Sequence, residues 1–196
     1  MFLKKIYKHI FLFLVIFLCC FKINSNEIIY KEKIINFFEN LDEFSSAFLQ
    51  IQENEISEGF LFIKNKRIRI EYTQPTNIIF VIKKKKAMYY NVDLEEVEYF
   101  NTKNTAGQYL FEIFNNRNFL KNAEVIHGEG FFYLTKKILV DGEENIIDVF
   151  FEEKPFNLKK LHINNSLGLT SFTITNSDFN PTLKDKMFSL VNPLLG

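Results

Sequence analysis

Residues 59–75 read GFLFIKNKRIRIEYTQP, and this stretch decides the fold class. From Arg67 to Tyr72 charged and apolar side chains alternate, which is typical of a β-strand with one face on a core and one in water. The apolar set is Ile68, Ile70 and Tyr72. Residues 59–63 are apolar on both faces, so we expect both sides of that strand to be covered.

The same period recurs along the chain in short runs separated by turn-forming residues. These predicted strands cover 45–52, 58–64, 67–73, 78–83, 88–93, 97–101, 123–127, 131–136, 146–151, 159–164 and 169–176, with 187–190 as a candidate last strand. Short strands in series with few long connections predict a mainly β (α+β) fold with an antiparallel meander.

Two segments have helical spacing instead. Residues 28–41 place Ile34, Phe38 and Leu41 on one stripe, and residues 105–115 place Leu110 and Ile113 on another. Two helices are too few to cover both faces of a broad sheet. The sequence therefore predicts an unclosed, strongly curved antiparallel barrel of about 10–11 strands with a helical lid.

The first 25 residues have the pattern of a secretory signal peptide. Lys4, Lys5 and Lys8 precede an apolar run of 12 residues, and polar residues follow up to Ser25. We expect cleavage near Ser25 and a single domain at 26–196. An uncleaved membrane anchor is one alternative, and a lipid-modified Cys19 or Cys20 is another, although neither cysteine follows a small residue.

Composition excludes several classes of function. Cleavage would leave 20 basic and 24 acidic residues, a formal charge of −4, which disfavours a nucleic-acid partner. It would also remove both cysteines, leaving His127 and His162 as the histidines. No nucleophile motif accompanies them, and Glu95, Glu96 and Glu98 are typical of a solvated turn. We therefore expect a non-enzymatic protein without a metal or cofactor.

A run of lysines and a high phenylalanine content are two further features that could mark a binding site. Four consecutive lysines at 83–86 are either a charged hairpin tip or a basic patch for anionic lipid. The mature part keeps 19 of the 24 phenylalanines, through coding bias or because the fold has a hydrophobic pocket. Without catalytic groups, such a pocket is the main candidate site.

Five local patterns, in order along the mature chain, resemble the LolA-type periplasmic carriers of outer-membrane lipoproteins. They are Phe48-Leu49-Gln50; residues 59–64 with 69–75; residues 87–91; Leu161, Ile163, Asn165 and Gly168; and Phe188, Leu190 and Pro193. The family fold is an unclosed antiparallel barrel with a helical lid, as the periodicity predicts independently.

The resemblance implies a lipid-binding cavity and a lid. The implied cavity residues are Phe48, Ile68, Ile70 and Tyr72, with Phe38 and Leu41 from the first helix. The implied gating residues are Asn65, Lys66, Leu110 and Ile113. Asn65-Lys66 replaces an Arg-Pro pair whose Arg is implicated in lid–barrel hydrogen bonding in the family, with Lys64, Lys66 or Arg67 as candidate substitutes.

The implied partners are acylated lipoproteins, an inner-membrane ABC-type exporter and an outer-membrane acceptor, for a monomer in the periplasm of a Gram-negative bacterium. Two alternatives keep the same fold. One is a membrane-anchored lipoprotein acceptor, and the other is a periplasmic sensor module that binds lipid or protein.

Overall fold

The computed structural model describes residues 25–103, 105–140 and 142–195. The helices are α1 (Ser25–Glu39), α2 (Ala106–Asn115) and α3 (Arg117–Lys121). The strands are β1 (Glu43–Gln52), β2 (Glu55–Lys64), β3 (Arg67–Gln74), β4 (Ile78–Lys83), β5 (Lys86–Asn91), β6 (Glu96–Asn101), β7 (Glu124–His127), β8 (Phe131–Val140), β9 (Glu143–Glu152), β10 (Asn157–Asn165) and β11 (Gly168–Asp178). The predicted signal peptide lies outside the described residues, apart from Ser25.

All these strands form one 11-stranded antiparallel sheet in the order β6-β5-β4-β3-β2-β1-β11-β10-β9-β8-β7. Its two edges, β6 and β7, do not pair with each other, so the sheet stays open. The chain passes from one edge to the other through α2 and α3, which also contact α1. The predicted unclosed barrel with a helical lid is confirmed.

The main core lies between the concave face of the sheet and the helices. Buried residues alternate along the strands, such as Phe44 and Phe48 on β1, while α1 contributes Ile34, Ile35 and Phe38. Removing this apolar surface from water is the main driving force for folding, at roughly 25 cal/mol per Å².

A bulge lets β2 and β3 approach each other closely at Gly59, where their register shifts. A Cβ added to Gly59 would lie 2.0 Å from the carbonyl oxygen of Glu71 and 2.9 Å from the ring of Phe48. Only glycine fits between that backbone and that ring. The absence of a side chain at Gly59 thus leaves room for the buried ring of Phe48.

A second, smaller core lies on the opposite, convex face. Val81 of β4 and its neighbour Met88 of β5 are buried against Leu183 and Phe188. Leu183 and Phe188 belong to residues 179–195, here called the C-terminal strap. The candidate last strand at 187–190 is wrong, because the strap forms a 3-10 helix at Asp185–Phe188 and lies on the sheet without joining it.

Three basic side chains of β2 and β3 fasten the strap. Lys64 donates to the carbonyl oxygen of Leu183 at 2.6 Å, Arg69 to that of Met187 at 2.7 Å, and Arg67 to the Asp185 carboxylate at 2.7 Å. The Arg67 hydrogen bond and charge hold the pKa of Asp185 below its usual value. The charged face of β3, which alternation alone predicts to face water, is half-buried under the strap.

We predict that Phe188→Ala lowers the free energy of unfolding by about 3 kcal/mol, since it opens a cavity beneath the strap. Phe188 is 2% exposed, whereas Leu195 at the end of the strap is 82% exposed. Leu195→Ala is therefore the control and should change stability by less than about 0.5 kcal/mol. Urea denaturation measures both, and equal losses in the two variants would contradict the buried position of Phe188.

Candidate functional site

Apolar side chains from both halves of the sheet converge beneath the lid. Seven residues surround a small cavity: Phe48, Leu61, Ile70, Leu110, Leu161, Phe172 and Ile174. Six of them come from β1, β2, β3, β10 and β11, and Leu110 comes from α2. Every one is at most 7% exposed, and the set contains no polar side chain. The interior of the barrel is therefore a hydrophobic compartment.

This compartment is closed in the structure. Its volume is about 10 Å³, at the lower limit for holding one water molecule. A group larger than a water molecule would enter only if the lid moved away from the sheet, since close-packed side chains leave no other space. The geometry is that of a closed lid.

The lid is amphipathic, as predicted. Tyr109, Leu110, Ile113 and Phe114 of α2 are all buried, and they recur with the spacing of one helical face. The shorter α3, which the sequence analysis missed, follows at once. The Asn116 side chain starts α3 by accepting hydrogen bonds from the backbone N–H groups of Asn118 and Phe119.

A cleft of about 440 Å³ opens at one end of the lid, a volume within the range of ligand pockets. We call it the mouth cleft. It lies between the end of α1, the β2–β3 turn and the junction of α2 with α3. Its apolar wall includes Phe38, Leu41 and Ile113, and its polar rim includes Asn65 and Lys66.

An exposed ion pair holds the lid helices to α1. Arg117, at the start of α3, donates to the carboxylate oxygens of Glu39 at 2.8 and 3.0 Å. Its other terminal nitrogen lies 3.7 Å from a Glu32 oxygen. Because these groups face water, their pairing stabilises the closed state by about 1 kcal/mol or less. Arg117 is thus a weak latch on an apolar lid.

The β2–β3 turn does not fasten the lid in this structure. Asn65 and Lys66 are its two central residues, with φ angles of 48° and 62°, a pair of values typical of a two-residue hairpin turn. Within the described part of the chain, neither side chain makes a hydrogen bond or ion pair. Lys64 and Arg67, the other candidate substitutes for the family Arg, bind the C-terminal strap on the outer face.

Tyr72 is a polar group at the border of the compartment. Its hydroxyl donates to the side-chain oxygen of Gln50 at 2.6 Å, and its ring lies edge-on to Phe48 with centroids 5.2 Å apart. Burial raises the pKa of Tyr72 to about 12. Phe48-Leu49-Gln50 therefore supplies both a cavity wall and the partner of a buried hydroxyl.

The structure divides the ten sequence-predicted site residues into three groups. Phe48, Ile70 and Leu110 line the interior compartment, whereas Phe38, Leu41, Asn65, Lys66 and Ile113 line the mouth cleft. Ile68 and Tyr72 lie beside the compartment in the main core. Their roles in lipid binding and gating remain predictions.

Sequence reasoning missed the other cavity residues and the latch. Phe172 and Ile174 alternate on β11 and could have been found by the same period that identified Ile68 and Ile70. Nothing local to Arg117 indicates its partner, because Glu39 lies 78 residues away.

Both histidines of the described residues pack against aromatic rings. His162 stacks edge-on against Phe150 on the sheet, and burial lowers its pKa, assisted by Lys160 and opposed by Asp148. His127 packs near Tyr30. Across residues 25–103, 105–140 and 142–195, no group of three or more His, Cys, Asp or Glu side chains could hold a metal ion.

An open sheet with an apolar compartment under a weakly latched helical lid is an architecture suited to binding a hydrophobic group. The family model described as outer membrane lipoprotein carrier protein LolA matches residues 39–191. The chain belongs to this family, which is one of carriers rather than enzymes. The match covers most of the chain, including the whole interior compartment and all of the mouth cleft except Ile35 and Phe38.

Several solved structures match the chain at low sequence identity. An uncharacterized conserved protein from Thermus thermophilus matches with a TM-score of 0.53 and 8% identity, over 80% of this chain and 91% of that one. A DUF1329 family protein from Desulfovibrio piger matches with a TM-score of 0.44 and 10% identity, over 84% and 98%. MucB of Pseudomonas aeruginosa, in its complex with MucA, gives 0.44 and 10%, over 80% and 60%.

No curated protein gives a significant match to the sequence. Within the described residues, no helix has the length and hydropathy needed to cross a bilayer.

We predict that Tyr72 makes the protein sensitive to alkali. Its pKa is about 12 when folded and about 10 when unfolded, so stability present below pH 10 is lost as pH rises toward about 12. Between these values, wild type should lose about 2 kcal/mol more than Tyr72→Phe in urea denaturation. Tyr99→Phe, at an exposed tyrosine, is the control, and parallel curves for wild type and Tyr72→Phe would contradict the prediction.

Proposed function

We propose that this protein is a periplasmic chaperone that encloses the acyl chains of lipoproteins and carries them toward the outer membrane. Its membership of the LolA family supports the carrier role. The observation that carries the proposal is the apolar compartment beneath α2, lined by Phe48, Ile70 and Leu110 and separated from water only by a lid. The seven residues that line this compartment have no polar side chain with which to recognise a soluble metabolite.

The energetics explain why a carrier is needed. Burying one methylene is worth about 0.8 kcal/mol, so an acyl chain of about 15 methylenes represents roughly 12 kcal/mol against water. Free lipoproteins would leave a bilayer too rarely to be useful. A compartment that opens to receive the chain and then closes lowers this barrier without exceeding the affinity of the membrane.

The lid can open because its ion pair is weak and because acyl chains can replace its apolar contacts. The apolar face of α2 supplies most of the closure, whereas the Arg117–Glu39 latch is exposed and weak. Incoming acyl chains can replace Leu110 and Ile113 against the sheet, so the apolar surface stays covered in both states. The mouth cleft, bordered by Asn65 and Lys66, is the route by which chains would enter.

In this proposal an energised inner-membrane exporter of the ABC type loads the carrier, and an outer-membrane acceptor unloads it. Export would depend on the signal peptide at 1–25, which precedes the domain at 26–196. A second candidate function is a lipid-anchored acceptor of the same fold, which would require acylation of Cys19 or Cys20 although neither cysteine follows a small residue. Mass spectrometry of the mature N-terminus separates the two, since an acylated cysteine would contradict the soluble carrier.

The direct test is photo-cross-linking of the wild-type protein to a diacylated lipopeptide that carries a diazirine at the end of one acyl chain. If the compartment takes the chain, cross-links map to Phe48, Ile70 and Phe172. Cross-links confined to exposed residues of the outer surface, such as Ile56 and Phe60, would overturn the proposal.

We predict that Ile70→Glu reduces lipopeptide binding at least about 10-fold, because a carboxylate in an unpaired apolar site is costly. Ile56→Glu makes the same change at a residue that is 60% exposed and should bind as wild type does. Fluorescence titration with a labelled lipopeptide measures the affinity, and circular dichroism verifies that both variants fold. Wild-type affinity in folded Ile70→Glu would exclude Ile70 from the cavity wall.

We predict the opposite effect for Arg117→Ala. Loss of the latch destabilises the closed state by up to about 1 kcal/mol and so raises apparent affinity up to about 5-fold. Lys121→Ala, which removes an exposed charge from the same helix, should leave affinity unchanged. Weaker binding by Arg117→Ala in the same titration would show that Arg117 helps to hold cargo rather than to keep the lid closed.

A further inference from the structure

The end of the sheet that bears the mouth cleft is unusually basic. The four lysines at 83–86 form the tip of the β4–β5 hairpin, and all four side chains are exposed. Within the described residues none of the four makes an ion pair. The carrier function proposed above uses none of them.

Further lysines surround this tip. Arg67 of β3 is the register partner of Lys83, so the neighbouring turn with Lys66 lies beside it. The backbone N–H of Thr102 donates to the carbonyl oxygen of Lys85 at 3.1 Å, which places Lys103 alongside. The strap adds Lys184 and Lys186, which flank the Asp185 bound to Arg67. We call the lysines at 83–86, with Lys66, Lys103, Lys184 and Lys186, the basic rim.

Carboxylates at this end of the sheet leave the rim largely uncompensated. Glu43 lies 2.9 Å from Lys64, Asp185 is held by Arg67, and Glu39 is held by Arg117. Asp42 is exposed and lines the mouth cleft. Eight rim lysines thus face water with few acidic neighbours, although residues 26–196 as a whole have 24 acidic and 20 basic side chains.

The opposite end of the same strands is acidic. Glu53 and Glu55 lie at the β1–β2 turn, and Asp93, Glu95 and Glu96 lie at the β5–β6 turn, all exposed. The β2–β6 part of the sheet is therefore polarised along its strands. An anionic surface would attract the mouth end and repel the other.

Apolar side chains accompany the lysines. A surface groove of about 560 Å³ runs between Lys85, Lys86, Tyr99, Phe100 and Leu190. Tyr99 is 55% exposed and Phe100 37% exposed, on the open edge strand β6. Beyond Leu190, the strap residues Val191, Leu194 and Leu195 are also exposed.

We propose that this end of the protein docks on a lipid bilayer with anionic headgroups. Flexible lysines attract such a surface without requiring a fixed arrangement of partners. Exposed tyrosine, phenylalanine and leucine side chains are those that partition into the headgroup region. Docking would bring the mouth cleft against the membrane. The biological use of this surface therefore rests on the proposed carrier function, whereas its attraction to anionic lipid does not.

The test compares three proteins, purified after export, whose N-termini are determined by mass spectrometry and must be identical. They are wild type, Lys85→Glu/Lys86→Glu, and Lys121→Glu/Lys154→Glu, which makes the same charge change at exposed lysines outside the rim. Flotation with vesicles of phosphatidylglycerol and phosphatidylethanolamine measures partition at low and high salt.

Wild type and the Lys121→Glu/Lys154→Glu control should float with these vesicles at low salt and be released at high salt. Lys85→Glu/Lys86→Glu should partition at least about 10-fold less. Equal partition of this variant and wild type, or no partition of wild type, would overturn the membrane surface and leave an acidic protein as the remaining class of partner. Interior cross-linking to the lipopeptide, which needs no vesicle, decides the carrier function separately.

Discussion

The structure depends on one constraint, which is that the concave face of an open sheet must be covered. Eleven strands bring Phe48, Ile70 and Phe172 to the same side without closing the barrel. Exposing such a surface to water is unfavourable in proportion to its area. In the closed state Leu110 and its neighbours on α2 cover it. Any group that opens the lid must take over this covering, and this is why the proposed ligand is a hydrophobic chain.

Both faces of the β2–β5 part of the sheet are covered, and this explains why residues 59–63 and 78–82 are apolar throughout. The inner face supplies the compartment, whereas the outer face packs against the strap through Val81 and Phe188. Arg67 and Arg69 connect the strap to the strand whose other face carries Ile68 and Ile70. The strap therefore packs on the convex face of the sheet, opposite the wall of the compartment, and its lysines extend the basic rim.

Much of the fold could be predicted from the period of side chains. Short alternating or wholly apolar runs between turn-forming residues located all eleven strands, and the stripe of Tyr109, Leu110, Ile113 and Phe114 located the lid. The two errors concern segments in which the spacing of apolar side chains carries little information. Helix α3 is only five residues long. Residues 187–190 are as apolar as a strand, but they pack on the convex face of the sheet without joining it.

The sequence by itself determined the sheet, the amphipathic lid and the apolar character of the interior, because these follow from side-chain spacing within about ten residues. The tertiary structure alone decided which residues share a cavity. Phe48 and Phe172 are distant in the chain but lie on adjacent strands, and Arg117 meets Glu39 only once α3 packs on α1. It also decided that the compartment is closed, since closure depends on how tightly separate elements interlock rather than on the residues of any one of them.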